Sequence, residues 1–222
     1  MVFTRPPNGV SHPAVALASS YWREFWACCI CGHVGTHDFD AGSPYWIPSR
    51  NERADESCSQ CRSTWLDRAT CVGVLHGLTS MSGPLTQRPR DLSITGLGLN
   101  ASDTVGRSLA RAFDFFFPDV ELQHPLPFRQ GKFDFVTLSE VALERGLSVE
   151  FLVATKELLK AHGFLVVSRK SLATAETNHL REARFVEVIG EAGFKFIEEV
   201  PIIPTLGVPA IPNPDVWVAY SR

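Results

Sequence analysis

Leu66, Ala69, Val72 and Leu75 recur at helical spacing and predict a helix over residues 63–78. Ser80, Gly83, Pro84 and Pro89 then mark residues 80–90 as a linker. The apolar run from Asp91 to Asn100 predicts a strand that enters a glycine turn at Gly96 and Gly98, followed by a helix from about Ser102 to Phe113. A turn at Gly131 leads into a second strand, Phe133 to Leu138, whose end is polar at Ser139 and Glu140. Val149 to Leu159 is amphipathic and helical, His162-Gly163 closes that helix, and Phe164 to Ser168 is a short buried strand. A further helix over about Thr177 to Ala192 stops at Gly193, and strand-like runs follow at Phe194–Ile203 and Val216–Tyr220. Strands alternating with helices predict an α/β fold around a mostly parallel, Rossmann-like sheet. The last two strands are joined by a Pro/Gly loop too short for a helical crossover, so they are expected to pair antiparallel.

Upstream of these elements the pattern changes. All six cysteines fall between Cys28 and Cys71, in two C-x-x-C pairs, Cys28/Cys31 and Cys58/Cys61, with Cys29 and Cys71 besides. A secreted disulfide framework would be spread along the chain. Two paired knuckles instead match the tetrahedral, closed coordination of a structural zinc site, with no open position for substrate. Cys29 is the ambiguous neighbour, because C-C-x-C lets either of its first two cysteines serve. Cys28 keeps the regular spacing, and His33 and His37 stand in reserve. A thioredoxin-like redox pair would need only one C-x-x-C. Tyr45, Trp46 and Trp65 are expected to cover the metal or pack it onto the next domain, since so small a module builds little core alone.

The strand, Gly-x-Gly, helix sequence opens a nucleotide-binding unit, and with Ala101 it satisfies G-x-G-x-x-A. Asp119 or Glu121 follows about 20 residues on, where an acid would receive ribose hydroxyls. Glycines there let backbone come close to a ligand at the helix N-terminus.

The chain is long enough to bury an ordinary core: 222 residues, 45% hydrophobic and 20% charged. Its formal net charge of −3 supplies no global attraction for polyanions. Residues 1–90 nevertheless hold eight arginines, no lysine and seven acids, a different balance from the rest of the chain. No apolar run reaches the roughly 20 residues of a membrane span and no signal-peptide core stands at the start, so the expectation is a soluble, cytoplasmic protein without a membrane partner.

Taken together, several stretches resemble class I S-adenosylmethionine-dependent methyltransferases that carry an N-terminal four-cysteine zinc module. Leu126-Pro127-Phe128-Arg129-Gln130-Gly131-Lys132-Phe133-Asp134-Phe135-Val136 resembles the family's LPF-x-x-G-x-F-D-x-V. Leu158–Val167 resembles LLKPGG-x-L-V-V, Glu191-Ala192-Gly193-Phe194 resembles E-A-G-F, and Cys58–Ser63 with Arg68 resembles C-x-x-C-x-S followed by arginines. The resemblance implies a zinc-module region over 1–79, a linker over 80–90 and a methyltransferase-like domain over 91–222. It implies that Gly96 and Gly98 approach the methionine part of the cofactor and that Glu121 or Asp119 takes the ribose. Leu126 to Phe128 would line the adenine, and Ser139 and Glu140 would face the methyl group or its acceptor, with Glu140 as the base ahead of His124, His162 and His179.

The chain departs from the family in four ways. Asn100-Ala101 stands where a third glycine is usual, and no acid directly precedes Gly96. Val141 to Arg145 does not reproduce the frequent Glu-His. The short spacing from Gly98 to Phe133 omits one strand-helix unit. The resemblance therefore implies an S-adenosylmethionine-dependent enzyme acting on an unidentified acceptor, a small molecule or glycan by preference, with nucleic acid left open. The alternative is a methyltransferase fold that has lost its cofactor and holds a protein, glycan or RNA partner. A nicotinamide oxidoreductase, resting on G-x-G-x-x-A alone, ranks third.

Overall fold

The computed structural model describes residues 21–40, 57–78, 84–118, 127–138, 148–168, 186–202 and 211–221. Two strands, β1 (Tyr21–Ala27) and β2 (Val34–Asp40), form an antiparallel hairpin, and the first cysteine knuckle sits in the turn between them. The helix expected at 63–78 is α1 (Trp65–Gly77). Its start is set by a capping box: Asp67 N–H donates to the Thr64 hydroxyl at 3.1 Å, and Thr64 N–H donates to the Asp67 carboxylate at 2.8 Å.

The central sheet holds β3 (Asp91–Leu99), β4 (Phe113–Phe116), β5 (Phe133–Leu138), β6 (Leu159–Ser168), β7 (Lys195–Ile202) and β8 (Ile211–Tyr220). Their spatial order is β4-β3-β5-β6-β8-β7. The first four are parallel, and β8 pairs antiparallel with both β6 and β7. The anticipated α/β class and the antiparallel final pair are both present. Between these strands run α2 (Asp103–Ala112), α3 (Val149–Leu158) and a helical stretch at 186–191. Of the helix expected over 177–192, only that last part lies within the described residues.

Side-chain alternation sorts the core into two layers. Phe135, Phe164, Val166, Val216 and Val218 face α1 and α2, whereas Val136, Leu165, Val167, Trp217 and Ala219 face α3 and the 186–191 stretch. The first layer also contains Cys28, Ile30 and Cys58 of the knuckles. Residues 84–90, expected as a linker, include a 3₁₀ turn at Leu85–Gln87 that docks on the first knuckle. Leu85 N–H donates to Cys29 O at 2.8 Å, Thr86 N–H donates to Ile30 O at 3.0 Å, and Leu85 itself is buried.

Two boundaries differ from the sequence expectation. Helix α3 stops at Leu158, and His162-Gly163 lies inside β6 instead of ending the helix. The cause is the Gly131 turn, whose Gly131 and Lys132 N–H groups take the carbonyls of Glu157 and Leu158 at 2.8 and 3.0 Å and so cap α3 early. Second, Gly96 and Gly98 do not make a turn. Strand β3 continues to Leu99, and the reversal begins at Asn100, whose φ is +59°. A Cβ on Gly96 would lie 2.3 Å from the Phe135 ring and 2.6 Å from that of Phe115, and one on Gly98 would lie 2.8 Å from Phe115. The missing side chains make room for stacked rings: Phe115 and Phe135 are 5.6 Å apart, and Phe135 and Phe164 are 5.8 Å apart.

Asp134 ties the amino-terminal ends of three strands together. Its carboxylate accepts from Thr95 N–H at 2.7 Å, the Thr95 hydroxyl at 2.9 Å and Lys160 Nζ at 2.7 Å. Partial burial works against its ionisation, but the bonds from Lys160 and Thr95 outweigh that and hold its pKa below the usual carboxylate value.

Two predictions follow from this packing. Gly96→Ala should destabilise the protein by about 1–3 kcal/mol in chemical denaturation, because the added methyl overpacks rings that cannot retreat. Asp134→Asn should cost about 1 kcal/mol at neutral pH, given the partial exposure of the pair. The folded pKa is depressed, so the parent's advantage is full above the unfolded carboxyl's pKa of 3.8 and disappears as pH falls through the lower folded value. Urea midpoints of parent and variant, compared from pH 7 downward, should converge in acid.

Candidate metal centre and ligand crevice

The two knuckles have the same hydrogen-bond plan. Gly32 N–H donates to Cys28 O and Cys28 N–H to His33 O, both at 2.8 Å; Arg62 N–H donates to Cys58 O and Cys58 N–H to Ser63 O, both at 2.8 Å. The residue after each second cysteine is left-handed, Gly32 at φ +77° and Arg62 at φ +62°. This folding brings four sulfurs within 4.8 Å of one another: Cys28, Cys31, Cys58 and Cys61. Cys28 Sγ lies 3.7 Å from Cys61 Sγ, and Cys31 Sγ lies 3.6 Å from Cys58 Sγ. A tetrahedral zinc with Zn–S bonds of about 2.3 Å requires S–S edges of about 3.8 Å. The thiol set therefore fits such a centre in chemistry, number and spacing.

Burial, together with hydrogen bonding among the Cys61, Cys58 and Cys28 thiols, outweighs the His33 N–H and pushes the Cys31 thiol up to about 12. Cys29 is excluded from the cluster: its thiol donates to Arg68 O at 3.3 Å, and burial first, then neighbouring Cys28, raises its pKa far above the ordinary value. Cys71 is fully buried, and desolvation raises it likewise. His33 Nε2 is engaged with the Ser59 hydroxyl at 2.9 Å, away from the sulfurs, and the His37 side chain lies outside the described set.

Around the sulfurs, Ser63 and Arg68 are buried. The Ser63 hydroxyl lies 3.1 Å from Cys61 Sγ and 3.6 Å from Cys28 Sγ, and Arg68 NH1 donates to Ser63 O at 2.7 Å. The C-x-x-C-x-S pattern followed by arginine is thereby explained as a set of supports around the knuckle.

Within the central sheet, β3 has β4 on one side and β5 on the other, so the connections leaving it diverge. In open α/β sheets ligands bind at such a switch point, beyond the carboxyl ends of the strands. The loop Asn100-Ala101-Ser102 and the N-terminus of α2 stand at this end, with Ser102 Oγ capping Val105 N–H at 3.2 Å. Thr137, paired in register with Gly98, is fully buried, and its hydroxyl has no hydrogen-bond partner among the described residues. An orphaned buried hydroxyl calls for a ligand group or a water.

Phe128 and Gly96 are brought together in one cavity of about 380 Å³ that Thr95, Phe116 and Lys132 also line; Gly98 does not line it. Asp119, Glu121, Leu126, Ser139, Glu140, His124 and His179 lie outside the described residues, and His162 is exposed on β6. Sequence reasoning missed Thr137, Asp67 and Ser102. The capping pattern Ser-x-x-Val at 102–105 was visible in the chain; the orphaned state of Thr137 was not.

No protein-family model matches the chain, and neither does any curated protein. Among solved structures it is similar to a Haloferax volcanii complex containing the Trm112 methyltransferase activator, at 12% identity and TM-score 0.39 over 70% of this chain and 97% of that one. It is also similar to the DszA carbon methyltransferase, at 15% identity and TM-score 0.45, spanning 70% of this chain and only about half, 52%, of that one. A third is a SAM-dependent methyltransferase from Aquifex aeolicus, at 11% identity and TM-score 0.38 over 61% of this chain and 85% of that one.

Cys58→Ser should lose the metal, whereas Cys29→Ser should keep one ion per chain. Elemental analysis and the thiolate-to-metal absorption of cobalt-loaded protein read both outcomes.

Proposed function

We propose that the protein is an S-adenosylmethionine-dependent methyltransferase with a structural zinc at Cys28, Cys31, Cys58 and Cys61. What supports this reading is the strand order around β3, whose connections diverge to β4 and β5 with the Asn100–Ser102 loop and the N-terminus of α2 at its carboxyl end, together with a buried Thr137 hydroxyl that has no partner among the described residues, in a chain with the LPF-x-x-G-x-F-D-x-V pattern. When bound, the cofactor supplies an activated methyl group on a sulfonium. The chain's residues orient the acceptor for in-line attack and exclude water.

In this reading the backbone at Gly96 and Gly98 and the Asn100–Ser102 loop lie along the methionine part. Asp119 or Glu121 accepts from the ribose hydroxyls, Leu126 and Phe128 cover the adenine, and Ser139 sits beside the methyl group. Glu140 takes the proton from an O, N or C nucleophile as it attacks. The acceptor is a small molecule or glycan. The closed four-thiolate set leaves zinc no position for substrate, so its role is to hold the fold.

Calorimetry should find micromolar binding of S-adenosylmethionine and S-adenosylhomocysteine and none of NAD. Glu121→Ala should weaken binding roughly tenfold or more, the worth of one charged hydrogen-bonded carboxylate. Absence of binding by the parent would overturn the reading, and unchanged binding by Glu121→Ala would move the ribose contact to Asp119.

A further inference from the structure

We propose that Asp67 is a positioning residue through which the zinc knuckle holds the Asn100–Ser102 loop in its cofactor-binding form; this rests on the switch point being the cofactor site. Only Arg62, Ser63 and Thr64 separate the second knuckle's Cys61 from α1. The first two are fixed by it, since Arg62 N–H bonds to Cys58 O and Ser63 O accepts from Cys58 N–H and Arg68, and the third, Thr64, caps the helix. The first turn of α1 is thus anchored to the metal ligands.

Asp67 lies in that turn, is nearly fully buried, and uses both carboxylate oxygens on different elements. Oδ2 accepts from Thr64 N–H at 2.8 Å at the start of α1. Oδ1 accepts from Ser102 Oγ at 2.6 Å, and the same Ser102 oxygen accepts from Val105 N–H at 3.2 Å at the start of α2. One carboxylate therefore joins the positive ends of two helices, a placement that its charge favours. Ser102 directly follows Asn100 and Ala101, the reversal at the end of β3, so the bond that caps α2 also sets where that loop stands. One helical turn further, Thr70 Oγ1 donates to Leu66 O at 2.8 Å and lies 2.9 Å from Ser168 Oγ, a buried pair that ties α1 to the carboxyl end of β6. Helix α1 is a strut from the metal to the carboxyl ends of two strands.

A shared strut makes the two ligands interdependent. If the metal-held arrangement is also the one that binds cofactor, cofactor must by linkage retard loss of the metal.

The test measures calorimetric affinity for S-adenosylhomocysteine and, separately, the rate of zinc transfer to a colorimetric chelator with and without that ligand. The zinc-loaded parent, Asp67→Ala, Ser102→Ala, the double variant and Thr64→Ala are compared. The expected result is a loss of affinity of about tenfold in each single variant at Asp67 or Ser102, with the double variant no worse than either. Saturating ligand should slow zinc transfer severalfold in the parent and leave Ser102→Ala unaffected. Thr64→Ala weakens the α1 cap but keeps the Asp67–Ser102 bond; it should lower stability and leave affinity in place, which a merely structural role for Asp67 does not predict.

Additive losses at Asp67 and Ser102, or a ligand that leaves zinc transfer in the parent unchanged, would overturn the proposal while the methyltransferase reading stands. A parent that binds no S-adenosylhomocysteine overturns both. If Asp67→Ala does not fold, Ser102→Ala and the zinc-transfer rates decide the question alone.

Discussion

The four sulfurs of the knuckles are the constraint on which the rest of the molecule depends. Cys28 and Cys58 are fully buried in the same layer of core as Leu109 of α2, Phe135 of β5 and Val166 of β6. Close-set thiols oppose one another's ionisation, and a cation reverses that opposition. A metal held there would do more than close a loop at the surface: it would turn a crowded set of polar groups into a stable wall of the main core. Metal affinity and folding free energy become one quantity in such an arrangement.

Within the described sheet β4 is the outermost parallel strand. The core on this side is filled by aromatic rings. Phe115, Phe135, Phe164 and Tyr220 form a continuous series of ring contacts, with centroids 5.6, 5.8 and 6.0 Å apart, across three parallel strands and the antiparallel β8. Gly96 and Gly98 serve this series. Glycine in a strand next to a nucleotide-type turn thus has two physical explanations, and here ring packing already requires both residues.

The sequence revealed the periodic elements because their apolar spacing is local information. The 63–78 helix, the strand after Gly131 and the antiparallel last pair could all be read for that reason. The C-x-x-C spacing led directly to the four-sulfur cluster, because knuckle geometry is set within six residues. Three things were hidden because they depend on distant partners. The end of α3 is fixed by carbonyls that bond Gly131 and Lys132. The docking of residues 85–87 on the first knuckle is tertiary. Asp67 reads as an ordinary capping-box acid until Ser102, 35 residues away, arrives at its second oxygen. A carboxylate with two employers cannot be inferred from the spacing of either one.

The most specific motif in the chain teaches a related lesson. Gly131, at φ +64°, caps α3; Phe133 and Val136 fill the core on the α3 side, Phe135 fills it on the other, and Asp134 clamps β3, β5 and β6 through Thr95 and Lys160. All of these tasks are structural, and the clamp sits at the amino-terminal end of the strands. Gly131 to Val136 are used completely by the fold, which leaves the opposite edge of the sheet free for the proposed chemistry. At that edge Ser102 meets Asp67 at the start of α1, Ser168 meets Thr70 one turn on, and Thr137 lies beside Gly98 near the end of β5. The buried polar groups there are the expensive ones to maintain, and Thr137, which has no partner among the described residues, is costly to the fold unless a ligand or a water meets it.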